Sequence, residues 1–284
     1  MSKTKLKISI IIPTFNSEKY IRDTLSSIIS QGYSPLEIIV KDGGSVDQTI
    51  SIVKSFNQKS VKIISKKDKG QYDAINQGMS YATGDIFCWL NSDDIYLPYT
   101  LKLVNDIFSK FDKVSWIIGL NTFINSESIL YKMANNHVVY PQKLIRNGFY
   151  QDKCLGFLQQ ESMFWRKKVW DKTNGLRTSI DLAADFDLWL NFSKKFKLYS
   201  VNVPLASFRI HDTNRSKINI NSYRGEVRMI LKEKLNPLLM IFTYNYLIRL
   251  LSIFIICRGD VIIVTNQKIK KLRTYRRLFK YNLI

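Results

Sequence analysis

With 284 residues, 45% of them hydrophobic and 13% aromatic, the chain can bury a sizeable core in one large domain, or in one domain plus an appendage. Its formal charge of +20 gathers at the end, where residues 205–284 hold 16 Lys/Arg against 4 Asp/Glu; such a segment seeks phospholipid headgroups, nucleic acid or pyrophosphate-bearing substrates, unless it is simply a solvated lysine-rich surface. Cys88, Cys154 and Cys257 are far apart and form no CxxC pair, which argues against a zinc or disulfide frame and fits a reducing, cytoplasmic setting, and the start MSKTKLK lacks the apolar core of a secretory leader.

The first 120 residues alternate strand and helix. Ile8–Ile12 is an apolar run ended by Pro13 and reads as a buried strand. Asn16 or Ser17 is placed to cap a helix running to about Ser30. Leu36–Val40 is the next strand, and Asp47 opens a helix to about Phe56. Val61–Ile64 is a third strand, Gln71–Tyr81 a helix, and Ile86–Leu90 a fourth strand. A helix follows Pro98, and Trp116–Gly119 is a short strand. This alternation predicts an α/β fold with a mostly parallel sheet, in which ligands bind beyond the carboxyl ends of the strands.

The middle is less regular. Strands are expected within Thr122–Tyr131, at Gln160–Trp165, and as a pair at Leu198–Val203 and Leu205–His211, with a helix from near Asp185. Leu235–Cys257 is strongly apolar and long enough to span a bilayer as a helix, but Pro237, Asn245 and Arg249 interrupt it. With Lys232, Lys234, Arg258, Lys268, Lys270, Lys271, Arg273, Arg276 and Arg277 it suits a pair of interfacial helices on anionic lipid; the alternative is a helix pair packed on the rest of the protein.

Polar and glycine-rich clusters follow the strands. Pro13-Thr14-Phe15-Asn16 ends the first, and Phe15 offers a wall for a flat base. Asp42-Gly43-Gly44-Ser45 ends the second; Asp42 can accept a hydrogen bond from a base edge, or cap its own turn, while Asp47 with Thr49 reads as structural. Lys69 precedes a helix N-terminus suited to phosphate, or is a surface lysine, and Asp73 and Asn76 share one helix face. Asn91-Ser92-Asp93-Asp94 follows the fourth strand; adjacent carboxylates there suit Mg²⁺ or Mn²⁺, which also bridge diphosphate oxygens. Asp185 and Asp187 point to different faces of their helix, so one can face a cleft while the other caps or pairs elsewhere.

Together these pieces resemble glycosyltransferase family 2, of the GT-A fold: SIIIPTFN at Ser9–Asn16, VKDGGSVDQT at Val40–Thr49, DKGQYDAINQG at Asp68–Gly78, ATGDIFCWLNSDD at Ala82–Asp94, QQESMFWRK at Gln159–Lys167 and ADFDLWL at Ala184–Leu190. The resemblance implies a Rossmann-like catalytic domain over residues 1–221, with a nucleotide-sugar half to about residue 120 and an acceptor half from 121, then a basic, apolar helical appendage over 222–284. It implies that Pro13, Thr14, Phe15, Asp42, Lys69, Asn91, Ser92 and Asp93 bind the nucleotide sugar, that Gln160 and Ser162 border the donor sugar and acceptor, that Asp93, Asp94 and His211 serve a divalent Mn²⁺ or Mg²⁺, and that Asp185 is the general base. One departure is Asn91, where the family's first metal-motif aspartate usually stands.

The implied activity is inverting transfer from a nucleotide sugar, with uracil the expected base, to a saccharide or polyprenyl-diphosphate-linked acceptor in surface polysaccharide assembly. Peripheral contact with anionic membrane and a place at the inner face of the cytoplasmic membrane go with such an acceptor. A basic nucleic-acid-binding protein is the rival from another class, but no zinc-finger, RNP or basic-zipper pattern is present and nucleic acid is not expected as a partner. A catalytically dead nucleotide-sugar scaffold would lack the carboxylates Asp42, Asp93 and Asp185, which are all here.

Overall fold

The computed structural model describes residues 5–133, 139–151, 155–215, 219–234, 255–265 and 268–279. Its central sheet has nine strands. On one side β1 (Ile8–Thr14), β2 (Leu36–Asp42), β3 (Val61–Ser65) and β4 (Ile86–Trp89) run parallel in the order β3-β2-β1-β4, with β1 and β2 in register from Ile8↔Leu36 to Thr14↔Asp42. β1 is buried along its whole length, as a strand covered by helices on both faces must be. α1 (Ile21–Ile29), α2 (Thr49–Ser55), α3 (Gln71–Tyr81) and α4 (Thr100–Lys110) follow β1, β2, β3 and the short β5 (Ile95–Tyr96). α3 sits close to β1 because Gly78 has no side chain: a Cβ there would lie 2.6 Å from Ile11.

Beyond β4 the sheet becomes mixed. β9 (Met163–Arg166) inserts antiparallel between β4 and β6 (Trp116–Leu120), and β10 (Leu198–Pro204) then runs parallel to β6. A smaller sheet orders β5, β11 (Ala206–Arg209), β7 (Thr122–Ile124) and β8 (Leu130–Met133). Two short helices, α5 (Gln142–Arg146) and α6 (Lys167–Trp170), lead to α7 (Ala184–Lys195) and α8 (Ile220–Lys234). Tryptophans hold α7 against the sheet: Trp189 stacks on Trp89 of β4 at 5.5 Å and on Trp116 of β6 at 5.7 Å, and meets Trp165 of β9 edge-on at 6.0 Å. Side chains of this size dominate core energetics, so this cluster sets where the start of α7 lies.

Two expectations are corrected. α1 begins at Ile21 rather than beside Asn16, because Asn16 stands at φ +47° and its side chain and that of Ser17 bond to other loops instead of capping the helix. The end of the chain is not all helical: after α8 it forms β12 (Ile255–Thr265) and β13 (Lys268–Phe279), a hairpin that extends the central sheet by pairing β12 with β10. The apolar positions Ile269, Leu272, Tyr275 and Leu278 recur every three residues, nearer a helix's period than a strand's, and antiparallel pairing with β12 prevails over that local pattern. Of the apolar Leu235–Cys257 segment, residues 235–254 lie outside the described residues. Among the described residues no helix is long and apolar enough to cross a membrane.

Candidate active site

Loops leaving the carboxyl ends of β1, β2 and β4, together with the start of α3, are tied into one rim. The Asn16 amide N–H donates to Ser45 Oγ at 2.8 Å, and the Val46 N–H donates to Asn16 Oδ1 at 3.0 Å. Ser17 and Ser92 share a hydroxyl hydrogen bond of 2.8 Å, and Gln71 Nε2, at the start of α3, donates to Asn91 Oδ1 at 2.8 Å. Cross-links of this kind order loops that a sheet edge would otherwise leave free.

Asp42 is fully buried at the end of β2. It accepts from the backbone N–H groups of Gly44 and Ser45, from Ser45 Oγ at 2.5 Å and from Ser65 Oγ at 2.6 Å. Burial alone would raise its pKa, but these hydrogen bonds hold it below the ordinary carboxylate range. Lys41 beside it is also fully buried; its ammonium donates to the carbonyls of Asp42 and Lys66 and to the Asp68 carboxylate at 2.9 Å. Asp68 in turn accepts the Gly70 N–H, in a turn where Gly70 sits at φ +111°. Pro13 and Thr14 are buried in the strand end, whereas Phe15 is 63% exposed and presents its ring to solvent. Lys69 is exposed at the start of α3, where its backbone N–H donates to Asp73. Asp73 and Asn76 do not act together: Asp73 organises the helix start, and Asn76 clamps the Leu176 backbone through both its amide atoms.

The loop after β4 separates its two aspartates. Asp94 is fully buried, accepting the Arg209 backbone N–H at 2.9 Å and Asn91 Nδ2 at 3.2 Å. Burial raises its pKa well above the usual range, and the charges of Asp93 and Glu161 add to this. Its carboxyl group thus organises the loop, with Oδ1 on the Arg209 N–H and Oδ2 on the Asn91 amide. Asn91 is likewise spent between Gln71 and Asp94. Asp93 keeps its carboxylate at the rim, 27% exposed, with Oδ2 2.9 Å from His211 Nε2. The imidazole is oriented by Thr213 Oγ1 on Nδ1 at 2.8 Å, and the His211 backbone by Asn214 Oδ1. Among the described residues no three His, Cys, Asp or Glu side chains cluster closely enough to hold a metal by themselves. One carboxylate and one imidazole still fit Mg²⁺ or Mn²⁺, since these ions complete their shells with water and phosphate oxygens.

Asp185 lies in the first turn of α7, with Oδ1 accepting the Phe186 N–H at 2.7 Å. Burial, opposed by backbone hydrogen bonds and aided by the charge of Glu226, raises its pKa to about 6. Asp187 faces elsewhere and pairs with Lys234 at 2.6 Å and Arg177 at 3.4 Å, which settles the divergence of the two acids on the helix. Between Asp93 and Asp185 comes the 3-10 turn Gln160–Ser162: Gln160 Nε2 donates to the Trp89 carbonyl at 2.6 Å, and both aspartate charges reach the buried Glu161, raising its pKa to about 8 chiefly through burial.

The sequence assigned no role to three further contributors. Arg209 is fully buried and donates to the Asp93 carbonyl at 2.6 Å, to Asn125, Ser126 and Ser128, and to Asp23, with its guanidinium 4.5 Å from the Tyr20 ring. Glu226 of α8 accepts the backbone N–H groups of Asp181, Leu182 and Ala183 at 2.8–3.0 Å, so a remote carboxylate fixes the segment that enters α7. Glu161 stood inside a quoted motif with no reason to be singled out. Adjacency gave no signal for the first two, whose partners lie tens of residues away.

The family model of glycosyl transferase family 2 matches residues 9–172. In Escherichia coli, a UDP-Glc:alpha-D-GlcNAc-diphosphoundecaprenol beta-1,3-glucosyltransferase, WfgD, is 28% identical over 85% of this chain and 92% of its own. The fold is shared with Staphylococcus aureus TarS 1–349 in complex with UDP-GlcNAc, at TM-score 0.63 and 18% identity, over 85% of this chain and 74% of that one. It is also shared with a Pyrobaculum calidifontis mannosyltransferase in complex with GDP-Man and Mn²⁺, at TM-score 0.60 and 17% identity, over 86% and 70%.

Proposed function

The chain belongs to glycosyl transferase family 2 and is a glycosyltransferase, and from that premise we propose that it transfers a sugar, with inversion, from a UDP-sugar to a saccharide or lipid-linked saccharide. One observation carries this reading: Glu161 of the Gln160–Ser162 turn lies near enough to both Asp93, the partner of His211, and the half-buried Asp185 to feel the charge of each. Asp42, saturated by its own turn, shapes the loop that receives the base, and the exposed ring of Phe15 offers it a flat face. Asp93 and His211 would hold a divalent cation, which when bound supplies positive charge to the departing diphosphate. Asp185 takes the acceptor hydroxyl proton as that oxygen bonds to the anomeric carbon and the bond from that carbon to the diphosphate breaks. A base with a pKa near 6 is ionised at neutral pH and still basic enough for the task.

A lipid-linked acceptor is supported by the diphosphoundecaprenol acceptor in the name of WfgD and by β13, an edge strand carrying Lys268, Lys270, Lys271, Arg273, Arg276 and Arg277. Six basic positions along one strand would suit anionic headgroups, which supports a location at the inner membrane face. The test is calorimetric titration of UDP, GDP and dTDP with and without Mn²⁺. UDP should bind most tightly and need Mn²⁺ for full affinity, and Asp93→Ala should lose the Mn²⁺-dependent part. Equal affinity for all three nucleotides, or UDP binding indifferent to Mn²⁺ and to Asp93, overturns the reading.

A further inference from the structure

A cavity of about 650 Å³ opens between the loop over residues 172–179, the later turns of α7 and the end of α8. Asp187, Asn191, Lys194 and Lys195 line it from α7, at the i, i+4, i+7 and i+8 spacing of one helix face. Asp185, two residues before Asp187, points to roughly the opposite face. Lys172 and Arg177 of the loop and Lys234 of α8 complete the charged lining. Five cations thus surround this cavity against one carboxylate.

That carboxylate is already taken. Asp187 pairs with Lys234 at 2.6 Å and with Arg177 at 3.4 Å, and Arg177 reaches Glu233 as well. Lys194 and Lys234 both donate to one oxygen, Asn191 Oδ1, at 2.9 and 3.0 Å. Two ammonium groups therefore stand within about 6 Å of each other with only a neutral amide between them, and at that separation they repel. Burial lowers the pKa of Lys234; Asp187 opposes this, and the charges of Lys194 and Arg177 add to it. Lys172 and Lys195 reach the cavity from exposed positions and have no acidic partner among the described residues. A cleft lined by one sign of charge concentrates counter-ions of the other.

We propose that this cavity binds a phosphate or diphosphate group, as a second anion site on the far side of α7 from Asp185. A neutral saccharide would leave the ammonium groups repelling one another, and a single carboxylate would match too few of them. A diphosphate presents several charged oxygens, each able to accept from an ammonium or guanidinium donor. The site is separate from the Asp93–His211 pair, and its existence does not depend on which donor that pair serves.

The experiment titrates inorganic pyrophosphate into the full chain by calorimetry at low salt, with EDTA present to remove metal-dependent binding near Asp93. The parent is compared with Lys172→Glu/Lys195→Glu, which reverses two exposed cations of the cavity. The control is Lys54→Glu/Lys59→Glu, which reverses two exposed lysines elsewhere and changes the net charge equally. The parent should bind pyrophosphate, the cavity variant about tenfold or more weakly, and the control within about twofold of the parent. Both variants should keep Mn²⁺-dependent UDP affinity within about twofold. Sedimentation with phosphatidylcholine vesicles, with and without phosphatidylglycerol, identifies the source of the group. A headgroup site loses phosphatidylglycerol-dependent binding in the cavity variant alone, whereas a site for a soluble diphosphate leaves it equal in the two variants. Absence of pyrophosphate binding in the parent, or equal weakening in both variants, overturns the proposal. Loss of UDP affinity together with pyrophosphate in the cavity variant also overturns it, since the two sites would then not be separate.

Discussion

Asp185→Asn exchanges a titrating oxygen for an amide of the same shape. Burial holds the Asp185 carboxyl at about 6 rather than the usual 3.8, so the folded state prefers the protonated acid. The sign follows: this group's favourable contribution is fully present below about pH 4 and is lost as pH rises through about 6. The change corresponds to at most about 3 kcal/mol, an upper bound because the side chain keeps some contact with water. Asp185→Asn should therefore be more stable than the parent at pH 8, by up to that amount, with the gap closing near pH 4. Urea melts at pH 4, 6 and 8 measure it. In the same variant turnover should fall about 10²–10⁴-fold while UDP affinity stays within about twofold. The parent's kcat/KM should fall on the acid side of about pH 6. A stability gap independent of pH removes the titration argument, and turnover near the parental rate removes the base.

Glu226→Ala should cost about 1.5–3 kcal/mol in urea melts, since three backbone donors at the entry to α7 lose a charged acceptor. Glu226→Gln should move the acid limb of the rate profile to lower pH, because the Glu226 charge helps raise Asp185; an unmoved limb would disprove that link. Arg209→Lys cannot serve the same spread of acceptors with three donors, and should lose about 3–5 kcal/mol and weaken Mn²⁺-dependent UDP binding through the released Asp93 backbone. Full stability in that variant would show the clamp to be dispensable.

Most strands and helices of the first 120 residues were legible because each is a local pattern: an apolar run ended by Pro13, an apolar run over Leu36–Val40 that the structure extends to Asp42, a helix bounded by Gly70 and Ala82. The site was legible only as a set of loops. Asp93 and Asp94 are neighbours of identical chemistry, and no local rule says which one turns inward. That choice came from Arg209, 115 residues away in sequence, whose backbone N–H claims Asp94. The hairpin at the end of the chain was misread for a similar reason, since its strand character depends on pairing with β10.

By itself the sequence determined the alternation of strand and helix, and therefore which loops gather at one edge of the sheet, because hydrophobic period and turn chemistry act over a few residues. Tertiary structure alone decided the fate of each polar group in those loops. Asp42 and Asp94 became internal fastenings, Asp93 met His211, Glu226 fixed the segment that enters a helix it does not belong to, and one carboxyl oxygen of Glu161 was left buried without a partner. The reason is physical: a carboxylate's role depends on the donors and charges around it, and here those arrive from distant parts of the chain.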